Sequence, residues 1–102
     1  MDINTHHHFS DNLYAKEMFL PKGSFVLQHK HTYSHLSILA KGKVVVGVEG
    51  DITEYTAPTC INIEANIAHG IQALEDSVWY CVHSTDETNI DKIDEVLIAE
   101  GV

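Results

Sequence analysis

His29 and His31 stand two apart, His35 follows shortly after, and His69 lies much later in the chain. On a strand, residues i and i+2 share a face, so His29 and His31 project together. Phe25 and Leu27 fall on that face, and Val26, Gln28 and Lys30 on the other. The apolar company marks the histidine face as the inward one. Thr32-Tyr33-Ser34 can turn the chain and return His35 toward the first pair. His69 shares its face with Ile71 and Ala73 on another candidate strand, and only a fold can bring it to the others. Imidazole nitrogen suits zinc, iron, copper, nickel and manganese; calcium and magnesium need oxygen ligands instead. Buried imidazoles that bind no metal need hydrogen-bond partners. Three histidines within such a short span therefore point to a divalent transition metal ion (Fe, Mn, Ni, Zn or Cu) rather than to a set of satisfied core residues.

Other side chains stand beside this set. Tyr33, between the histidines, can supply a proton or gate a pocket, or lie exposed on its turn. Ser37 continues the parity of His35 and can present a hydroxyl to a cavity. Trp79, Cys81 and His83 share one face of the last candidate strand. If that face is inward they line the pocket, with Cys81 open to oxidation; the competing role for Trp79 and Cys81 is ordinary core packing. His6-His7-His8 reads as part of a polar, flexible lead-in over residues 1–12.

Short strands must position these residues. From Leu13 to Ser84 the chain is rich in Val, Ile, Thr and Tyr, with turn residues at regular intervals. The candidate strands are Leu13–Leu20, Ser24–His31, His35–Ala40, Val44–Glu49, Ile52–Thr56, Cys60–Glu64, Ala68–Leu74 and Val78–Ser84. Eight of them suggest an all-β sandwich or barrel. Ile90, Ile93, Val96 and Leu97 recur at helical spacing, predicting a short C-terminal helix over residues 89–99. With 102 residues the chain makes one domain, residues 13–102.

Composition narrows the partners. Fifteen acids face six basic residues, all lysine, for a net charge of −9. Nucleic acid is excluded, because phosphate binding needs clustered Lys and Arg. Anionic membrane surfaces are disfavoured for the same reason, and no stretch approaches a membrane helix. Without arginine there is no bidentate fork for carboxylates or phosphates, so a neutral or enolisable small molecule is the expected substrate. Cys60 and Cys81 form no C-x-x-C pair; with no signal-peptide pattern they read as reduced thiols of a cytoplasmic protein, a lone disulfide being the alternative. So small a barrel, with exposed edges, favours a homodimer.

The spacing around the histidines resembles the cupin superfamily. Gly23, five residues, His29-Lys30-His31, three residues, His35, six residues and Gly42 reproduce the first cupin motif, G-x5-H-x-H-x3/4-E-x6-G, at every interval. His35 replaces its glutamate. The second motif, G-x5-P-x-G-x2-H-x3-N, keeps only His69; Pro58, Glu64, Asn66 and Ala73 stand at its other positions. The resemblance implies a double-stranded β-helix, the jelly-roll barrel of RmlC-like cupins, with one metal ion at its mouth. His29, His31 and His69 fall on ligand positions. His35 either completes a four-histidine site, as in some small cupins, or stands off the metal. Four neutral imidazoles leave a divalent ion at +2, where a glutamate would bring it to +1. The activities implied are metal-dependent oxygenase-like chemistry, Lewis-acid lyase or isomerase chemistry, or binding without turnover.

Overall fold

A computed structural model describes residues 4–28, 34–64 and 67–85. Nine strands follow one another: β1 (Asn4–Ser10), β2 (Leu13–Leu20), β3 (Phe25–Gln28), β4 (His35–Lys41), β5 (Lys43–Val48), β6 (Asp51–Thr56), β7 (Thr59–Ile63), β8 (His69–Ala73) and β9 (Ser77–Ser84). β2 pairs with β9, β3 with β8, β4 with β7 and β5 with β6, all antiparallel. The outermost strands pair with each other and the innermost likewise, which is one long hairpin rolled on itself. Ladders between β4 and β9 and between β5 and β8 close the roll. The result is two facing sheets, β1-β2-β9-β4-β7 and β3-β8-β5-β6. This is the all-β double-stranded β-helix that the motif spacing implies. The helix expected over residues 89–99 lies outside the described residues.

Local chemistry explains the turns. Glu49 (φ 49°) and Gly50 (φ 88°) join β5 to β6 with both residues left-handed, the type I′ hairpin that matches strand twist. β5 therefore stops at Val48, one residue before the expected end. Gly23 (φ 86°) and Gly42 (φ 92°) bracket the histidine motif, each at a backbone conformation that side chains resist.

Alternating residues of both sheets fill the space between them. Met18, Leu20, Leu39, Val44, Ile71 and Trp79 are all buried there, all but Met18 completely. Cys81 joins this cluster, whereas Cys60 is exposed, and the two form no disulfide. The lone-disulfide alternative is not realised.

Two placements differ from expectation. The polar segment expected as a flexible lead-in carries β1, whose residues pair with β2 from Asn4↔Phe19 to Ser10↔Leu13. Its inward side chains are anchored. Phe9 packs on Tyr14 with ring centroids 5.1 Å apart, and His7 Nδ1 lies 2.6 Å from the Tyr14 hydroxyl. On the outer face His8 Nε2 meets Glu17 Oε1 at 2.8 Å. The second difference is the parity of β3. Phe25 and Leu27 are 62% and 68% exposed, and Val26 packs against the core. The large side chains lie outside because Gly70 and its register partner Gly47 leave a shallow groove there. The Phe25 ring closes over Gly70, where even a methyl group would collide with it.

Candidate functional site

The fold does what sequence spacing could not: it sets His69 beside His35. His69 opens β8 in one sheet, where its register partners are Gln28 and Val48. His35 opens β4 in the other, opposite Ile63. Both are buried, at 2% and 5% exposure, and their ring centroids lie 6.5 Å apart across the barrel. Two imidazoles sharing one ion, each with a metal–nitrogen bond of about 2.1 Å, stand roughly 4.6–6.5 Å apart between centroids. The observed 6.5 Å is the greatest separation at which one ion could join the two rings.

Burial holds the His69 imidazole below its ordinary pKa of 6.5, and a hydrogen bond with the Ile67 backbone only partly opposes this. At neutral pH the ring is therefore uncharged, the state in which it can ligate a metal. The same shift carries a stability consequence. Below pH 6.5 the unfolded chain takes up a proton at His69 that the folded chain resists, so stability falls as pH falls. Metal-free protein should need less urea to unfold at pH 5.5 than at pH 7.5. A His69→Gln variant should show a shallower dependence; an unchanged slope in that variant would remove His69 as the cause.

A buried polar group continues inward from this pair. The His35 and His83 rings are 4.3 Å apart. Ser37 Oγ lies 3.4 Å from His35 Nε2, and the same hydroxyl donates to Cys81 Sγ at 3.8 Å. Tyr14, the register partner of His83, stacks on it at 6.0 Å. The structure thus groups His35, His69, His83 and Ser37, and places Trp79 and Cys81 in the hydrophobic cluster behind them. Tyr14 and His7 escaped the sequence-based set. The alternation Tyr14, Met18, Leu20 in β2 was the available signal for Tyr14.

His29, His31 and Tyr33 lie outside the described residues. The exposure of Phe25 and Leu27 corrects the parity expected for the described part of β3, Phe25–Gln28. Among the described residues, no three His, Cys, Asp or Glu side chains form a metal-holding group. The described pair supplies two imidazoles, one held neutral by burial, a donor set suited to a transition metal and short of a complete shell.

A cleft of about 210 Å³ opens over His69. Val46 and Val48 of β5, Tyr55 of β6 and Ile61 and Ile63 of β7 form its apolar walls, with Asp51, Asn62 and Glu64 among its polar lining. Asp51 lies in the same cross-strand row as His69, with Val48 between them. The sequence drew no attention to this aspartate.

No protein-family model matches the chain, and no curated protein matches it. Solved structures do. A cupin superfamily protein from Desulfitobacterium hafniense aligns with TM-score 0.73 at 13% identity, covering 83% of this chain and 79% of that one. An RmlC-like cupin from Shewanella frigidimarina aligns with TM-score 0.72 at 22% identity, covering 89% and 81%. A variant of salicylate 1,2-dioxygenase from Pseudoaminobacter salicylatoxidans aligns with TM-score 0.73 at 12% identity. That match covers 80% of this chain, which spans 26% of the dioxygenase. At these identities the likeness is one of fold: the chain has the cupin double-stranded β-helix.

Proposed function

We propose that this cupin-fold chain binds one divalent transition metal ion at the barrel mouth and acts as a mononuclear oxygenase-like enzyme on a small neutral or enolisable molecule. One observation carries the proposal: His35 and His69, from opposite sheets, meet at 6.5 Å beside the cleft. His29 and His31 complete the ligand set in this reading. His29 directly follows Gln28, the register partner of His69.

The metal would supply Lewis acidity and, with a redox-active ion, dioxygen chemistry. The chain's own residues shape the rest. Apolar side chains line part of the cleft, burial keeps His69 neutral, and Tyr33 is the proposed proton donor. A dioxygenase stands among the proteins of like fold, which favours the oxygenase reading over lyase or isomerase chemistry and over binding without turnover.

Elemental analysis of untagged protein purified without added metal tests the proposal. About one equivalent of a transition metal per chain is expected. A stoichiometry near zero leaves the non-catalytic binding module. Turnover that persists without oxygen would instead select the lyase or isomerase.

The proposal includes a homodimer and a reducing, cytoplasmic setting. Leu27 and Ile52, 68% and 76% exposed, stand in one outer row with Gly70 and Gly47 between them, an apolar patch that a second copy would cover. Light scattering should give a dimer mass, falling to monomer in a Leu27→Lys/Ile52→Lys variant. A monomer mass for the unaltered chain would end this part of the proposal. No helix among the described residues is long and apolar enough to cross a membrane.

A further inference from the structure

The cleft's lining says which small molecules it suits. Among the described residues that line it there is no lysine, and the chain has no arginine. Two carboxylates are present: Asp51 on the inward row of β6, and Glu64 at the end of β7. Asp51 is separated from His69 by one strand, so their Cα atoms stand two strand spacings apart, about 10 Å. Both side chains line the space between them. Val46, Val48, Ile61 and Ile63 supply the apolar part of the lining, and Thr53, Tyr55 and Asn62 add neutral polar groups but no positive charge.

Size sets a second bound. A cavity of roughly 150 Å³ accepts benzene, so about 210 Å³ accepts one ring with a short substituent. Charge sets a third. Asp51 is exposed at the cleft's edge, and a ligand carboxylate beside it meets like charge on a chain of net charge −9. An ammonium or hydroxyl group there makes a charge-assisted hydrogen bond to the carboxylate.

We propose that the cleft takes a single-ring-sized molecule that presents an ammonium or hydroxyl donor to Asp51 while its other end points to His69, and rejects carboxylates and phosphates of equal size. Asp51 is then the specificity-determining residue. This rests on the proposed function only in taking the cleft as the ligand's site; the discrimination itself needs no metal.

Benzylamine, benzyl alcohol and benzoate, titrated into the full chain at pH 7 and low salt and followed by calorimetry or ligand-observed NMR, test it. Benzylamine should bind at least tenfold tighter than benzoate, with benzyl alcohol between them. Asp51→Asn should bring the amine to the level of the alcohol without moving the melting temperature. Val48→Trp, which fills the cleft, should abolish binding of all three. Equal or tighter binding of benzoate, an unchanged preference in Asp51→Asn, or no binding of any probe at millimolar concentration overturns the proposal. Metal content measured on the same samples separates the two readings. A metal-free protein that keeps the amine preference contradicts the metal site alone, and a metal-loaded protein without the preference contradicts this proposal alone.

Discussion

Replacing His69 with alanine is expected to empty the protein of metal, from about one equivalent to less than a tenth. Losing a partner that merely orients a ligand weakens metal binding by about 10–100-fold, and losing the ligand itself should exceed that. Among the described residues His69 is the histidine that the second sheet brings to His35. Its register partners are Gln28 and Val48, and its ring is the one that faces His35 from the opposite sheet. His69→Gln, which keeps a buried polar side chain of similar reach, should lose metal with less damage to folding and so guards against a trivial collapse. His31→Ala should behave as His69→Ala does. His35→Ala decides what the sequence left open. Loss of metal there makes a four-histidine site; retention leaves a three-histidine face with His35 packed against His83 instead, as the 4.3 Å ring separation allows. Full occupancy in His69→Ala would sink the ligand assignment, and X-ray absorption on the same samples reads the number of nitrogen ligands directly.

The jelly roll was legible because its signals are local. Alternation in Leu13–Leu20 reproduces β2 to the residue, and the two motif glycines fall at positive φ. What local pattern could not carry was pairing. β1 offers only His7 and Phe9 on its inward side, too little apolar periodicity to announce a strand; Tyr14, its anchor, belongs to the next element. The parity of β3 failed for a related reason. Hydrophobicity assigned Phe25 and Leu27 to the core, but β3 is an edge strand and the glycine that receives Phe25 outside, Gly70, comes from β8. The candidate site divides in the same way. His69 was identified by its place in a weak motif, and its nearness to His35 is a property of the closed roll. Asp51 was invisible because its register with Val48, and through it with His69, exists only once β5 lies between β6 and β8.

Gly42→Ala should be the most damaging single methyl in the barrel. Gly42 sits at φ 92°, where non-glycine residues are strained by roughly 1–3 kcal/mol. The added Cβ also has no room: it would overlap the Ser77 hydroxyl and press on the Asp76 carbonyl and Ser77 Cα. Two of these three are backbone atoms at the start of β9 and cannot swing aside as a side-chain tip can. Overpacking of this kind costs about 1–3 kcal/mol more. A total near 4 kcal/mol is a large share of the roughly 5–15 kcal/mol that holds a domain together. For a chain this short, each kcal/mol moves the melting temperature by about 4–8 °C, so a fall of roughly 15–30 °C is expected. The damage should spread, because the Gly42 carbonyl accepts the Ala57 amide and the Ser77 hydroxyl donates to the Glu75 and Lys43 carbonyls. Gly47→Ala is the matched control. It adds the same methyl to a strand position without positive φ and with nothing within 4 Å, so its melting temperature should hold or rise slightly. If Gly42→Ala melts within about 3 °C of the unaltered chain, a shift worth less than about 1 kcal/mol, the close approach of β9 to this turn is not what fixes glycine at the end of the histidine motif.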